Sequence, residues 1–232
     1  MEGGCVLRGE GFKAGEPARA ERDAAFVMSL RSRGVRDLAV LGAMERVPRD
    51  FFAPRRFTDL ARADIALPLD YGQTMTAPSV VAAMLVALDL RAGDEVLEIG
   101  TGSGYVSGLL AQLGARVRTV ERYAPLAESA AARLTALDYG HRIVCEIGDG
   151  LEAEADERFT RILVNGSLAS LPPAVIKRLA PGGRLVGAIT RDGFPRLTTL
   201  VRDAAGEVAT HAGVSLRISP IAVLRPALTK TA

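Results

Sequence analysis

The sequence predicts an α/β protein whose mostly parallel, twisted sheet carries helices on both faces. Between residues 95 and 189, short apolar runs of strand length alternate with segments of helical periodicity, a pattern typical of a parallel sheet covered by helices. After Ile189 the pattern changes to two strand-like runs, 197–202 and 214–224, which indicates antiparallel strands at the end of the sheet. Two further helical segments precede the sheet.

Each predicted element has a local signal. The first two helices, about residues 18–32 and 36–46, carry apolar side chains at helical spacing, and Pro48 ends the second. A third helix begins near Pro78, because a hydroxyl residue shortly before proline indicates a helix start. The elements that follow are predicted at 95–99, 105–113, 116–121, 125–137, 142–147, 161–164, 173–179 and 184–189, with a turn at 181–183 before the last of them.

Length and composition predict a single domain. A chain of 232 residues with 48% hydrophobic content can bury a sizeable core. Residues 1–16 are rich in glycine and charge and lack periodicity, so we expect a disordered tail. The domain is then 17–232, with a helical segment at 17–90 and the sheet with its C-terminal strands at 91–232.

Charge and hydropathy argue against several partners. A net charge of +2 is too mild to indicate nucleic-acid binding, and the apolar run 80–88 is shorter than the roughly 18–20 residues of a membrane helix. Cys5 and Cys145 are the two cysteines, far apart and without other ligands at metal spacing. We therefore expect no metal, no disulfide, no membrane and a cytoplasmic protein, with a monomer favoured.

The stretch from Val96 to Tyr105 indicates a nucleoside site. It contains Gly100, Gly102 and Gly104 directly after a predicted strand, and glycines there allow tight turns and close approach of backbone to a ligand. Glu121 ends the next strand, where an acid about twenty residues after such glycines can bind ribose hydroxyls. The alternative is a helix-capping loop without a ligand.

The spacing favours S-adenosylmethionine over a dinucleotide. The third glycine, Gly104, comes one residue earlier than in the dinucleotide pattern, and Glu98 would place an acid near an ammonium group. Asp149, between two glycines after the next strand, could accept a hydrogen bond from an adenine amino group. Its alternative role is to shape a turn only.

Together these motifs resemble the class I S-adenosylmethionine-dependent methyltransferases of Rossmann-like fold, and in particular the protein-L-isoaspartate O-methyltransferase family. The resemblance spans about residues 26–225 and includes Val47-Pro48-Arg49, Gly72-Gln73-Thr74-Met75-Thr76-Ala77-Pro78 and 179–186. It implies transfer of a methyl group to the free α-carboxylate of isoaspartyl residues in damaged proteins or peptides. It also makes 17–90 the acceptor side and 91–232 the cofactor side.

The resemblance also implies roles for individual residues. Thr76 falls at the family's serine and is the candidate catalytic residue, since a hydroxyl there can donate a hydrogen bond to the acceptor carboxylate. An α-carboxylate, with a pKa of about 3.3–3.7, is already ionised and needs no general base. The candidate cofactor-binding residues are Thr74, Met75, Glu98, Gly100, Thr101, Gly102, Ser103, Gly104, Glu121, Arg122, Asp149 and Gly150.

Departures from the family pattern keep alternatives open. The threonine at 76, Arg161, the run Asn165-Gly166-Ser167 and the segment 218–221 all differ from it. They favour, as a second hypothesis, a diverged methyltransferase with another acceptor. A non-catalytic cofactor-binding module and, last, an NAD-dependent enzyme are further alternatives. Thr76 could also simply cap the helix that begins near Pro78.

Overall fold

The computed structural model describes residues 16–152 and 157–221. The expected tail, residues 1–16, lies almost entirely outside the described residues, and the first helix already begins at Glu16. None of the helices in the described part of the chain is long and apolar enough to span a membrane.

The described chain contains seven α-helices, nine strands and two short 3-10 helices, Arg55–Leu60 and Asp70–Gly72. The helices are α1 (Glu16–Ser32), α2 (Leu38–Arg46), α3 (Arg49–Phe52), α4 (Pro78–Leu88), α5 (Tyr105–Gln112), α6 (Ala124–Ala136) and α7 (Pro173–Lys177). The strands are β1 (Leu67–Pro68), β2 (Thr74–Met75), β3 (Glu95–Ile99), β4 (Arg116–Glu121), β5 (Ile143–Ile147), β6 (Phe159–Leu168), β7 (Leu179–Arg191), β8 (Phe194–Arg202) and β9 (Val208–Ser215).

The main sheet has the strand order β5-β4-β3-β6-β7-β8-β9. The first five strands are parallel, and β8 and β9 are antiparallel to their neighbours. The chain builds outward from β3 through β4 to β5 and then returns to the other side of β3 as β6. This reversal leaves a crevice at the carboxyl ends of β3 and β6, the place where open α/β sheets bind ligands.

Both faces of the sheet are covered, as the sequence predicts. Alternate residues of a strand point to opposite faces. Val96 packs with α4 and α5 in one apolar core, whereas its neighbour Leu97 packs with Val175 of α7 in a second one. The α/β fold class, the mostly parallel sheet and the antiparallel C-terminal strands are confirmed.

The last strand differs from its prediction. The sequence predicts it at 214–224, but β9 runs from Val208 to Ser215 and pairs with β8 through a short turn at 204–206. All eight of its residues are exposed, so no alternation of apolar and polar side chains marks it. Residues 222–224 of that prediction lie outside the described chain.

Two other predictions need correction. Pro48 ends α2 as expected but also begins the short helix α3, which the sequence does not predict. The predicted turn at 181–183 lies within β7. Leu179 pairs with Phe159 while Arg184 pairs with Arg161, so the turn residues form an irregularity of the strand rather than a loop before it.

A bulge interrupts β6 beside the crevice. Leu163 pairs with Val186 and Ser167 with Ala188, which leaves 164–166 opposite a single residue of β7. The segment around Pro220 lies along this bulge, where Ser167 donates its N–H to Ser219 and accepts that of Ile221. Bulges of this kind redirect side chains and are frequent next to active sites.

We predict that Gly166→Ala disrupts this arrangement. A Cβ at position 166 would lie 2.8 Å from the Cβ of Ile221, so either the bulge or the Pro220 segment must move. Overpacking of this kind costs about 1–3 kcal/mol, measurable as a lower midpoint in urea denaturation. The control is Gly42→Ala in α2, where the nearest atom is the flexible end of Arg46 and alanine favours the helix. Equal midpoints for the two variants would contradict the prediction.

Candidate functional site

A single cleft opens at the carboxyl ends of β3, β4, β5 and β6. One wall is formed by residues at the ends of β4 and β5 and in the loops after them. The opposite wall is formed by the β2 region, the β6 bulge and the Pro220 segment. The lining residues are Gln73, Thr74, Thr76, Ile99, Gly100, Gly102, Val120, Glu121, Arg122, Gly148, Asp149, Gly150, Leu151, Asn165, Ile218, Ser219, Pro220 and Ile221.

The glycine turn is held by the carboxylate of Glu121. One carboxylate oxygen accepts the N–H of Gly102 at 2.9 Å and the other accepts the N–H of Tyr123 at 3.0 Å. Gly100, Gly102 and Gly104 all have positive φ, a conformation that glycine adopts without strain. Glu121 is 6% exposed but lines the cleft, so its remaining lone pairs are available to hydroxyl donors of a ligand.

Asp149 and Arg122 form an ion pair at the far end of this wall. The other carboxylate oxygen of Asp149 accepts the N–H of Leu151 at 3.0 Å, so the acid also shapes its own turn. Both proposed roles of Asp149 are therefore compatible with its position. Gly150 allows the turn to pack on the sheet, because a Cβ there would lie 2.9 Å from a methyl carbon of Ile99.

The opposite wall carries hydroxyl and amide groups. Thr76 donates its hydroxyl to Oδ1 of Asn165 at 3.3 Å, and Nδ2 of Asn165 donates to the carbonyl of Gly100 at 3.2 Å. Thr74 donates to the hydroxyl of Ser219 at 2.9 Å. These contacts join the segment before α4 to the glycine turn and to the Pro220 segment.

Thr76 does not cap α4. The N-cap residue is Ala77, whose side chain makes no capping hydrogen bond, and a carboxylate oxygen of Asp64 accepts the N–H of Ser79 instead. Arg49 fixes the backbone of Thr76, because the guanidinium of Arg49 donates to the carbonyl of Thr76 at 2.9 Å. The alternative in which Thr76 serves only as a helix cap is therefore excluded.

Arg49 is a supporting residue that its motif alone does not explain. Its side chain is buried, and besides Thr76 it donates to the carbonyls of Ala61 and Ile65. The guanidinium also lies 5.8 Å from the ring centroid of Tyr105 in α5. A single buried cation thus fixes three turns of the irregular chain before α4, which no local pattern of the sequence reveals.

Eight of the thirteen candidate residues line the cleft together. They are Thr74, Thr76, Gly100, Gly102, Glu121, Arg122, Asp149 and Gly150. The other five, Met75, Glu98, Thr101, Ser103 and Gly104, are buried behind the lining. Their contact with a cofactor stays a prediction. Gln73, Asn165 and the segment 218–221 also line the cleft. Gln73 belongs to the motif Gly72–Pro78, whereas Asn165 and 218–221 are among the departures from the family pattern.

Glu98 lies beneath α5 rather than in the cleft. Strand alternation directs it to the same face as Val96, where one carboxylate oxygen accepts the hydroxyls of Ser107 and Thr119, the latter at 2.8 Å. The other oxygen is buried without a hydrogen-bond partner. Desolvation, with a smaller contribution from the nearby Glu121, raises the pKa of Glu98 from its usual 4.5 to about 7, although the hydrogen bonds from Ser107 and Thr119 oppose this rise.

The lining fits a nucleoside that carries no phosphates. Glu121 offers a carboxylate to a ribose diol, and glycines let the backbone approach a ligand closely. Among the described lining residues, Arg122 is the cationic one, and Asp149 already pairs with it. A pyrophosphate would therefore meet carboxylates in this cleft without an unpaired side-chain cation.

We predict that Glu98 makes stability depend on pH. Because its pKa is raised on folding, the folded protein binds more protons than the unfolded chain between pH 4.5 and 7, and the free energy of unfolding falls as the pH rises through this window. Above pH 7 the loss is on the order of 3 kcal/mol. Glu98→Gln should remove this dependence in urea denaturation at a series of pH values. Glu128→Gln, at an exposed position of α6, is the control; parallel curves for wild type and Glu98→Gln would contradict the prediction.

Comparison with known proteins agrees with this geometry. The sequence profile of the protein-L-isoaspartate (D-aspartate) O-methyltransferase family matches residues 21–223. Protein-L-isoaspartate O-methyltransferase 1 of Rhodopseudomonas palustris is 41% identical over 204 residues, which cover 87% of this chain and 83% of the relative. The Maricaulis maris protein-L-isoaspartate O-methyltransferase is 46% identical over 168 residues, covering 72% and 78%.

Solved structures share the fold. A Plasmodium falciparum protein described as a β-aspartate methyltransferase of this type, in complex with S-adenosyl-L-homocysteine, aligns with a TM-score of 0.73 at 19% identity, covering 84% of this chain and 96% of its own. At this identity the structure supports the fold alone, whereas the sequence matches establish the family. The chain belongs to the protein-L-isoaspartate (D-aspartate) O-methyltransferase family.

Proposed function

We propose that this chain transfers a methyl group from S-adenosylmethionine to the free α-carboxylate of L-isoaspartyl residues in damaged proteins and peptides. The observation that carries the proposal is the cleft itself, which brings the carboxylate of Glu121 on one wall together with the hydroxyl of Thr76 on the other. Curated relatives with 41% and 46% identity bear the name of this activity.

For the cofactor, we assign roles to residues at the carboxyl ends of β3, β4 and β5. Glu121 would accept the ribose hydroxyls, Asp149 would accept the adenine amino group, and the Gly100–Gly102 backbone would lie along the methionine portion. When bound, S-adenosylmethionine supplies a methyl group activated on a sulfonium. The protein's own contribution is orientation, which can lower the barrier of a reaction between two bound groups by about 7–11 kcal/mol.

The acceptor side needs a positioned donor rather than a base. An α-carboxylate is ionised at neutral pH, so the site needs only to align it. Thr76 is 6% exposed, and the present partner of its hydroxyl is the neutral amide oxygen of Asn165. A carboxylate accepts a hydrogen bond more strongly than an amide oxygen does, so the Thr76 hydroxyl can turn from Asn165 and donate to the acceptor carboxylate instead.

Apart from Thr76, the departures from the family pattern have identifiable positions in the fold. Arg161 lies at the opposite edge of the sheet from the cleft, where its guanidinium donates to the carbonyl of Asp89 at 2.9 and 3.1 Å. The run 165–167 and the segment 218–221 contact each other through the Gly166 and Ser167 backbone. The run 165–167 and the segment 218–221 therefore pack directly against each other.

The proposal also includes the cellular compartment and the oligomeric state of the enzyme. We propose that it works in the cytoplasm, because two isolated cysteines fit a reducing compartment, and we propose a monomer as its oligomeric state. In the structure Cys145 is a free thiol, and burial raises its pKa to about 11, which keeps it protonated and unreactive at neutral pH.

The proposed activity predicts discrimination between two peptides that differ only in an isoaspartyl or an aspartyl linkage. With labelled S-adenosylmethionine, only the isoaspartyl peptide should gain methyl ester. Equal labelling of both peptides, or labelling of neither, would contradict the repair function. Methylation of neither peptide by a protein that still binds the cofactor would favour another acceptor or a non-catalytic module.

Variants at position 76 test the role of the hydroxyl. Thr76→Val keeps the shape of the side chain but removes the donor, so kcat/KM for the isoaspartyl peptide should fall by about tenfold or more, the equivalent of one hydrogen bond to a charged group. Thr76→Ser keeps the donor and should retain most activity. The affinity for S-adenosyl-L-homocysteine, measured by calorimetry, should be the same in all three proteins. Equal activity of the valine and serine variants would rule out the hydroxyl.

A further inference from the structure

Two stacked tyrosine rings join the walls of the cleft. The ring centroids of Tyr71 and Tyr123 are 4.8 Å apart, and the ring planes differ by 10°. Tyr71 lies in the turn between β1 and β2, two residues before Gln73, and Tyr123 directly follows Arg122. Because Gln73 and Arg122 both line the cleft, the stack connects the hairpin wall to the β4 wall at its mouth.

Both rings are anchored on the residues around the proposed ribose site. The N–H of Tyr123 donates to Glu121, whose other carboxylate oxygen holds Gly102. On the hairpin side, a methyl carbon of Leu69 lies 3.5 Å from the position of a Cβ on Gly102. The hairpin turn therefore rests on the glycine turn, and the stack ties it down next to Glu121.

The hairpin turn presents the Tyr71 ring at the surface. Tyr71 and Gly72 both have positive φ, as two-residue hairpin turns require, and the carbonyl of Asp70 accepts the N–H of Gln73 across the turn. Tyr71 is 52% exposed, so the stack with Tyr123 is its main packing contact. An aromatic pair contributes only about 0.5–1.5 kcal/mol, so the two rings can separate thermally.

We propose that the Tyr71–Tyr123 stack is a clasp that positions the hairpin over the bound cofactor and has to part before the cofactor can leave. The two tyrosines are positioning residues that act through the hairpin and the β4 loop. The proposal rests on the cofactor in the proposed function and does not depend on the acceptor.

The test is the dissociation rate of radiolabelled S-adenosyl-L-homocysteine from the full-length protein after a chase with excess unlabelled compound. Tyr71→Asn removes the ring while asparagine tolerates the left-handed backbone, and Tyr123→Leu removes the second ring but keeps an apolar side chain. Tyr71→Phe keeps the stack. Phe194→Ala, at an exposed aromatic residue of β8, is the control for loss of a surface ring.

Loss of either ring should speed dissociation by roughly threefold to tenfold, the range expected for one aromatic pair. The double variant should be no faster than the single ones, because either substitution removes the same stack. Tyr71→Phe and Phe194→Ala should dissociate at the rate of the wild type. A merely structural role would instead lower the urea midpoint without a change in the dissociation rate.

Three outcomes would overturn the clasp. These are unchanged rates in both ring-deleted variants, a double variant whose acceleration is the product of the two single ones, or a phenylalanine variant as fast as the asparagine one. Failure of the wild type to bind the compound would overturn the clasp together with the proposed cofactor. Normal binding without methylation of the isoaspartyl peptide would overturn only the acceptor assignment and leave the clasp standing.

Discussion

One buried carboxylate organises the site. Glu121 accepts N–H groups from two separate loops, Gly102 after β3 and Tyr123 after β4, with both of its oxygens. The glycine turn would otherwise have few side chains to hold it in place. The same carboxylate faces the cleft. In the proposed function it also accepts the ribose hydroxyls, and the order of the glycine turn would then depend on the same side chain as cofactor binding.

The two walls of the cleft are built in different ways. The cofactor wall consists of backbone turns at the ends of adjacent parallel strands, whose positions follow from the sheet itself. The opposite wall combines the bulge of β6 with irregular chain before α4 and around Pro220. It depends on long-range polar contacts, in which Arg49 holds the carbonyl of Thr76, Asn165 links Thr76 to Gly100, and Ser219 meets Thr74. Thr76 and Asn165, two of the departures from the family pattern, lie on this wall.

Periodicity was sufficient to predict the sheet, because strands and helices that bury one face carry that face in their sequence. It failed where burial is absent or uniform. Every residue of β9 is exposed, so its true position, Val208–Ser215, left no pattern. Strand alternation directs the side chain of Glu98 to the face beneath α5, so its carboxylate is not part of the cleft lining. Its contact with the cofactor stays a prediction.

The sequence by itself determined the fold class, the family, the glycine turn and the acids at the ends of β4 and β5. Each of these depends on residues close together in the chain or on the order of the strands. Only the tertiary structure decided which residues form the opposite wall of the cleft. Ile221 packs on the bulge at Gly166, Arg49 holds the carbonyl of Thr76, and Tyr71 stacks on Tyr123. The two partners of each contact are 27 to 55 positions apart in the sequence. Such contacts arise from how the elements pack, and no local spacing encodes them.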